Sequence, residues 1–381
     1  MGLKDSAVQA NKKFLFILLL LCSPPLLAQE LSGYVSAMPS LAALHPGDEV
    51  WWQTLAHNRL TFGWQMADTL RADVGMRNRF LAGSEAWVEP QSIRHDGGWV
   101  HLSWNWAQGR RVVGNTSFDR LSLTFEKNQW KLQAGRQRIN WGHTFVWNPN
   151  NIFNTHSFFD FDYPERPGAD ALRLTCFHDE TSSSELALSF NDDNKATAAL
   201  LHRWNWDKMD FQLMAGTFHQ SDFVLGGAWT GDFKGLNIRS EFSYFLPLHP
   251  GDSLGKMAAV SLGVDYMFAN ALQLLAEVLF NNATGALSAN GPLGLYSAPL
   301  SAKALSLSRW NVFAQALGPL TPRLNASVSA MYMPDIKSWY TGFSLEHSLS
   351  DNVEFSFHAQ LFAAAANMRA LLGFARLKYS F

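Results

Sequence analysis

Period-two alternation returns along most of the chain in pieces of about ten residues, the length that a tilted strand needs to cross a bilayer. Leu121, Leu123 and Phe125 alternate with Ser122, Thr124 and Glu126, and Ile238, Phe242 and Tyr244 with Arg239, Glu241 and Ser243. The longest run sets Val353, Phe355, Phe357, Ala359 and Leu361 against Glu354, Ser356, His358 and Gln360. In a soluble sandwich the apolar face of such a sheet is the core. In a closed barrel it faces lipid and the polar face lines the lumen.

Turn lengths favour the barrel. Short turns at Lys127-Asn128-Gln129, Asp207-Lys208, Ala269-Asn270 and Ser350-Asp351 alternate with long excursions at Asn140 to Gly168, Pro247 to Lys256 and Asn281 to Lys303. Counting strands back from Phe381 puts every one of those short turns at one rim and all three long segments at the other, which is the habit of outer-membrane barrels. The expected fold class is all-β: a transmembrane antiparallel barrel of about eighteen strands, with about sixteen as the alternative, narrowed by an inward-folded long loop.

The N-terminus agrees with export. Lys12 and Lys13 precede the apolar run Phe14 to Leu21, then Ser23-Pro24-Pro25 and Leu26-Leu27-Ala28, the layout of a secretory signal. Residues 1–28 are therefore expected to be a signal peptide, 29–58 a periplasmic or lumenal segment broken by Pro39, Pro46 and Gly47, and 59–381 the barrel. With Cys22 in the signal, Cys176 is left alone, which leaves no intramolecular disulfide. A formal net charge of −2 gives no basic footprint for nucleic acid.

The closing strand sets Leu371, Gly373, Ala375, Leu377, Tyr379 and Phe381 on one face and Arg376, Lys378 and Ser380 on the other. It resembles the C-terminal strand of bacterial outer-membrane barrels. A second segment carries more: Gly135-Arg136-Gln137-Arg138-Ile139-Asn140-Trp141-Gly142, then Asn148-Pro149-Asn150-Asn151-Ile152-Phe153-Asn154, then Glu165-Arg166-Pro167-Gly168-Ala169-Asp170. This GRQxIxWG, NPxxxFN, ERPGAD series resembles porin-like outer-membrane proteins of Gram-negative bacteria, including the alginate-export-type porins. The resemblance implies diffusion of small hydrophilic solutes and a homo-oligomer, and names no solute.

On this strand count Asn140 to Gly168 is the third external loop, the one that in general porins folds into the lumen, and a loop dense in Trp and Phe is expected to be buried there. The loop supplies Asp160, Asp162, Glu165 and Asp170, while strand parity puts Arg71, Arg77, Arg79, Arg120, Lys131, Arg173 and Arg239 on lumenal faces. Opposed charges of this kind filter ions. The other reading is that Arg138, Arg166 and Arg173 pair with the loop carboxylates and pin the loop to the wall, which is compatible with the first. Basic lumenal positions slightly outnumber acidic ones, a weak lean towards anions. Arg136 breaks parity, sharing a face with Leu132 and Ala134, so it belongs either above the hydrocarbon or after a bulge at Gly135.

Catalytic and metal readings find little support. His143, His156, Asp160 and Asp162 match no ligand spacing, and there is no GxSxG elbow. His101 and His358 read as hydrated lumenal side chains, and Cys176 as an inert thiol on the apolar face. The expectation is a channel that is not an enzyme, with no cofactor, and with outer-membrane lipid and small solutes as its partners.

Overall fold

The computed structural model describes residues 29–45, 49–85, 96–159, 162–249, 255–282, 300–364 and 368–381. The expected signal peptide, Pro46, Gly47 and Asp160 lie outside them. The first half of the sheet consists of β1 (Gln29–His45), β2 (Glu49–Ala67), β3 (Leu70–Gly83), β4 (Ser103–Gln108), β5 (Val112–Lys127), β6 (Trp130–Gln137), β7 (Ala169–Phe177), β8 (Ser183–Phe190), β9 (Ala196–Trp206) and β10 (Met209–Phe218). It continues through β11 (Asp222–Phe233), β12 (Leu236–Pro247), β13 (Met257–Met267), β14 (Gln273–Asn281), β15 (Trp310–Thr321), β16 (Leu324–Met333), β17 (Ser338–Ser348), β18 (Val353–Ala363) and β19 (Arg369–Ser380).

Every pairing is antiparallel, and β1 pairs with both β2 and β19, so the ring closes on itself. Closure matters because an unpaired edge in hydrocarbon leaves a row of N–H and C=O groups without partners. Eighteen strands form the ring, and β4 is an extra strip on β5.

The strand number agrees with expectation, but the barrel begins earlier. Residues 29–45 form β1 and residues 49–58 belong to β2, so the described part of the expected periplasmic or lumenal segment lies in the strands of the barrel. Pro39 did not break the strand. The β1–β19 ladder pairs Tyr34 to Ala37 and then Ser40 to His45, leaving Pro39 in the interval where no ladder bond is needed.

Short turns gather at the rim that holds Ser380. In the β9–β10 hairpin, Asp207 and Lys208 have φ of 45° and 67°, the left-handed pair whose twist matches that of the flanking strands. The long connections after β6, β12 and β14 leave from the opposite rim. The outer face is apolar along the ring, with Leu213, Leu225, Leu262, Val278, Val328 and Leu361 all exposed. Exposed Trp130, Trp206 and Tyr379 stand near one rim, and Trp52, Trp310 and Trp339 near the other.

The inside is not uniformly polar. One apolar cluster joins Met38, Phe313, Met331, Tyr340, Phe362 and Phe374 of the wall to Val146, Trp147, Phe158 and Phe159 of the β6–β7 loop. A second joins Met214, Phe218, Val224 and Phe245 to Ile139, Trp141 and Ile152 of that loop, and to Ala302 and Ala304 of the β14–β15 connection. Burying each of the larger side chains contributes roughly 1.5–3 kcal/mol. Over the loop the wall is therefore apolar on both faces: in β19, Ala370, Leu372 and Phe374 are buried inside while Leu371 is exposed outside.

Candidate functional site: the lumenal loop and its arginine-rimmed cavity

The β6–β7 loop, residues 138–168, enters the barrel through a break in parity. Gly135 has φ of +110°, and a Cβ there would stand 2.2 Å from the Leu121 carbonyl oxygen, so only glycine fits. The β5–β6 and β6–β7 registers run unbroken through Gly135, so the expected bulge is not there, and Arg136 is only 4% exposed because Asp96, Val100 and Asp170 cover it. Gly135→Ala is expected to lower the midpoint of urea unfolding, and an unchanged midpoint would count against that strain.

The remaining motif residues fold the loop. Asn151 Oδ1 accepts the backbone N–H groups of Trp141 and Gly142 at 2.7 and 2.9 Å, and Asn154 Oδ1 accepts that of Ile139 at 2.9 Å. Gln212 on β10 donates to the Trp141 carbonyl, and the Trp141 indole donates to Glu185 on β8. The conspicuous asparagines thus satisfy the loop's own backbone, which has no water to turn to.

Two strand carboxylates hold the loop to the far wall. Glu241 on β12 accepts N–H bonds from His143, Thr144 and Asn150, and the Thr144 hydroxyl as well. Glu277 on β14 accepts them from Phe145, Val146 and Trp147 at 2.8 to 3.0 Å, and from Ser261 Oγ. All the backbone N–H groups from His143 to Trp147 therefore end on one of two buried carboxylates.

Against the near wall lies a cavity of about 570 Å³ lined by Arg77, Arg79, Asp119, Tyr163, the loop residues Ile152 to Thr155 and the turn residue His219. Arg59 forks onto Asp119 with both contacts at 3.1 Å, and the Tyr163 hydroxyl donates to the same carboxylate at 2.7 Å. Arg77 lies over the Tyr163 ring at 3.7 Å and 3.7 Å from Asp162. Arg120 donates to the backbone carbonyls of Glu165 and Arg166, and Tyr34 to the Glu165 carboxylate at 3.1 Å. Asp119 and Arg120 both face inwards because the β3–β5 register slips between Gly75 and Met76, which makes Asp119 the extra residue of a bulge.

The expected site residues therefore divide. Arg77, Arg79, Arg120, Asp162, Glu165 and Arg166 come together at this loop. Arg138 is half-buried nearby and, among the described residues, makes no hydrogen bond or ion pair. Asp170 does not face the lumen opposite the arginines; it sits in the wall, bonded by Arg136 at 2.7 and 2.8 Å. Arg173 does not pin the loop, because Glu185 on the adjacent strand takes it. Lys131 pairs with Glu126 near the short-turn rim, far from the loop. Arg239 pairs with Asp265 at 3.5 Å and covers the loop's Phe145 ring at 4.1 Å. Sequence reasoning missed Arg59 and Tyr34, which it placed at or before the barrel's edge, and Asp119, which simple parity sent outwards. It assigned Glu241 to the polar face without a partner.

His156 gives the loop a pH dependence. Its Nδ1 lies 2.9 Å from an Arg166 guanidinium nitrogen, so the ring must be neutral and accept. Burial, and then the Arg166 charge, lower its pKa from 6.5 to about 4. The undocked loop would then bind a proton more readily than the docked one between pH 6.5 and 4, so docking weakens as pH falls through that window. Protease sensitivity of the loop should rise from pH 7 to pH 4.5, and His156→Gln, which keeps an acceptor, should remove the histidine's share. Identical pH profiles for the two proteins would contradict this.

No family model matches the chain, and no curated protein matches it. Solved structures do. OccAB4 of Acinetobacter baumannii is 8% identical, with a TM-score of 0.59, over 94% of this chain and 100% of that one. OccK9 (OpdG) of Pseudomonas aeruginosa is 9% identical, with a TM-score of 0.60, over 93% and 98%. OpdQ of the same organism is 8% identical, with a TM-score of 0.58, over 93% and 98%. The fold is that of the Occ and Opd porins. An Occ/Opd-type barrel agrees with the porin-like resemblance, and these structures add nothing for the narrower likeness to alginate-export-type porins.

Proposed function

We propose that this protein is an outer-membrane channel for passive diffusion of small hydrophilic solutes, narrowed by the loop 138–168. The observation that carries the reading is a lumen-filling loop latched by Glu241 and Glu277 on one side and bordered on the other by a polar cavity rimmed with arginine. The apolar belt with aromatic residues near both rims supports residence in a bilayer, and the Occ/Opd-type fold supports a bacterial outer membrane. The cavity lining carries Arg77, Arg79 and Arg136 against Asp96, Asp119 and Asp192, and Arg59, Arg120, Arg138 and Arg166 lie close by with Asp162 and Glu165. Most of these charges have partners, so the preference for anions is modest, and it rests on Arg138 beside the cavity. Lipid and small solutes are the partners, a homo-oligomer is compatible with the belt, and no cofactor is called for.

The test is single-channel conductance in planar bilayers, with residues Thr144 to Glu165 replaced by a Gly/Ser turn and with Asp162→Asn. Conductance that widens in the first variant and gains anion selectivity in the second supports a channel constricted here. The two apolar clusters inside the lumen favour a second reading, a plugged barrel that does not conduct and serves a structural role. Silence from well-folded barrels, the loop replacement included, would establish that one instead.

A further inference from the structure

Where β6 stops at Gln137 and its chain turns inwards, the wall above it loses a strand. β5 pairs with β6 only from Leu121 to Lys127, and β4 takes over its free edge from Val113 to Ser117. On the far side β7 begins at Ala169. The gap is filled by an irregular segment, Asp96 to Leu102, joined to the β8–β9 turn by a single bridge, Gly98 to Asn191.

Irregular backbone at this place has to satisfy its polar groups from within the protein. Asp170 accepts the Val100 N–H at 2.8 Å, and Asp96 accepts those of Gly98 and Leu102. Arg136 donates to the Val100 carbonyl at 2.6 Å while holding Asp170 and Asp96. Gly98 lies so close that a Cβ would meet an Arg136 nitrogen at 2.0 Å. These bonds turn inwards. What is left outside is a crevice of about 320 Å³ with a largely apolar lining that includes Trp99, Val100, Leu102, Leu121, Leu172 and Leu188. Trp99 stands at its edge, 5.4 Å from the Phe190 ring, and its indole N–H is bonded to Asn194.

We infer that this crevice is a binding site for one acyl chain of a membrane lipid. The inference rests on the membrane reading above. The crevice is continuous with the exposed outer belt, since Leu121, Leu172, Trp99 and Val100 are all 43–55% exposed. In hydrocarbon there is no water to fill it, and an empty recess forfeits the dispersion contacts that a chain would make. An apolar cavity of ~150 Å³ already takes up benzene, so the recess has room for an alkyl segment. Its floor is Arg136 and Asp170, already paired with each other, so the site selects a chain and not a headgroup.

The experiment is fluorescence quenching in bilayers with a rising fraction of phospholipid brominated in mid-chain. The Trp99 signal is taken as the difference between the protein and Trp99→Phe, and that of Trp339, an exposed outward residue near the same rim, from Trp339→Phe. Trp99 should be quenched at a several-fold lower brominated fraction than Trp339, and Leu188→Phe, which fills the recess, should erase the difference. Superimposable curves, or a low-fraction component that survives Leu188→Phe, would overturn the site. Quenching of Trp339 with Trp99 protected would overturn it too, assigning the recess to a second copy of the chain. If neither residue is quenched in fully brominated bilayers, the membrane reading itself fails.

Discussion

In the channel proposed above, Glu241→Ala with Glu277→Ala should widen the conductance and raise its noise. Each carboxylate accepts three backbone N–H bonds from the lumenal loop, and a hydrogen bond to a charged group contributes about 1.5–3 kcal/mol. Removing one acceptor also strands its donors in a water-poor lumen, at roughly 1–3 kcal/mol for each that finds no new partner. The loss per carboxylate is several kcal/mol, enough to raise the undocked population by orders of magnitude, because about 1.4 kcal/mol is a factor of ten. Aromatic packing of Phe158 and Phe159 on Phe313, Tyr340 and Phe362 still opposes release, so the double variant should far exceed either single one. Glutamine at both positions keeps an acceptor and should fall between. Unchanged conductance and noise in a folded double alanine variant would remove the latch from the account.

The second large effect is on stability. Arg136 is 4% exposed and bonded to Asp96, Asp170 and the carbonyls of Phe118 and Val100. Arg136→Met leaves two carboxylates without their cation inside the wall, and breaking a buried ion pair in this way costs about 3–5 kcal/mol. The urea midpoint of the refolded barrel should drop sharply, and the Asp96 to Leu102 segment should become sensitive to protease. Adding Asp96→Asn and Asp170→Asn removes the stranded charges and should restore much of the loss. A single variant as stable as the parent would mean that other groups hold the seam.

How much of this could be read in advance depends on the range of the interaction. Alternation alone gave the strands, the closing face of Leu371 to Phe381 and the rim from which the loop leaves, because side-chain parity is a local property. Two breaks in parity were also on view. Arg136 among apolar neighbours marked a covered ion cluster, and Phe118 with Leu121, apolar at a spacing of three, marked the bulge that brings Asp119 inwards beside Arg120. The first was noticed, though its proposed bulge at Gly135 is absent, and the second was not, and with Asp119 went Arg59 and the anchoring of Tyr163. The latch was out of reach of such reasoning. Polar parity places Glu241 inside, but nothing near it in sequence says that its partners are backbone amides 98 residues upstream. The filled lumen left a trace, since Ala370, Leu372 and Phe374 are apolar where a hydrated wall would be polar.

The closing seam of the ring has a consequence for how the molecule is made. Gly33 and Phe381 exchange a reciprocal pair of backbone bonds, both 3.0 Å, so a residue near the start of β1 is joined to the residue just after β19. The loop's latches likewise lie 98 and 130 residues downstream of the groups that they bind. Contacts of such sequence separation form slowly, because loop-closure entropy is lost before they give anything back. Neither the ring nor its internal packing can therefore be completed before β19 has been made. An exported, unclosed sheet with an aromatic-rich loop must wait until its final strand arrives, and that interval is when it most needs a chaperone.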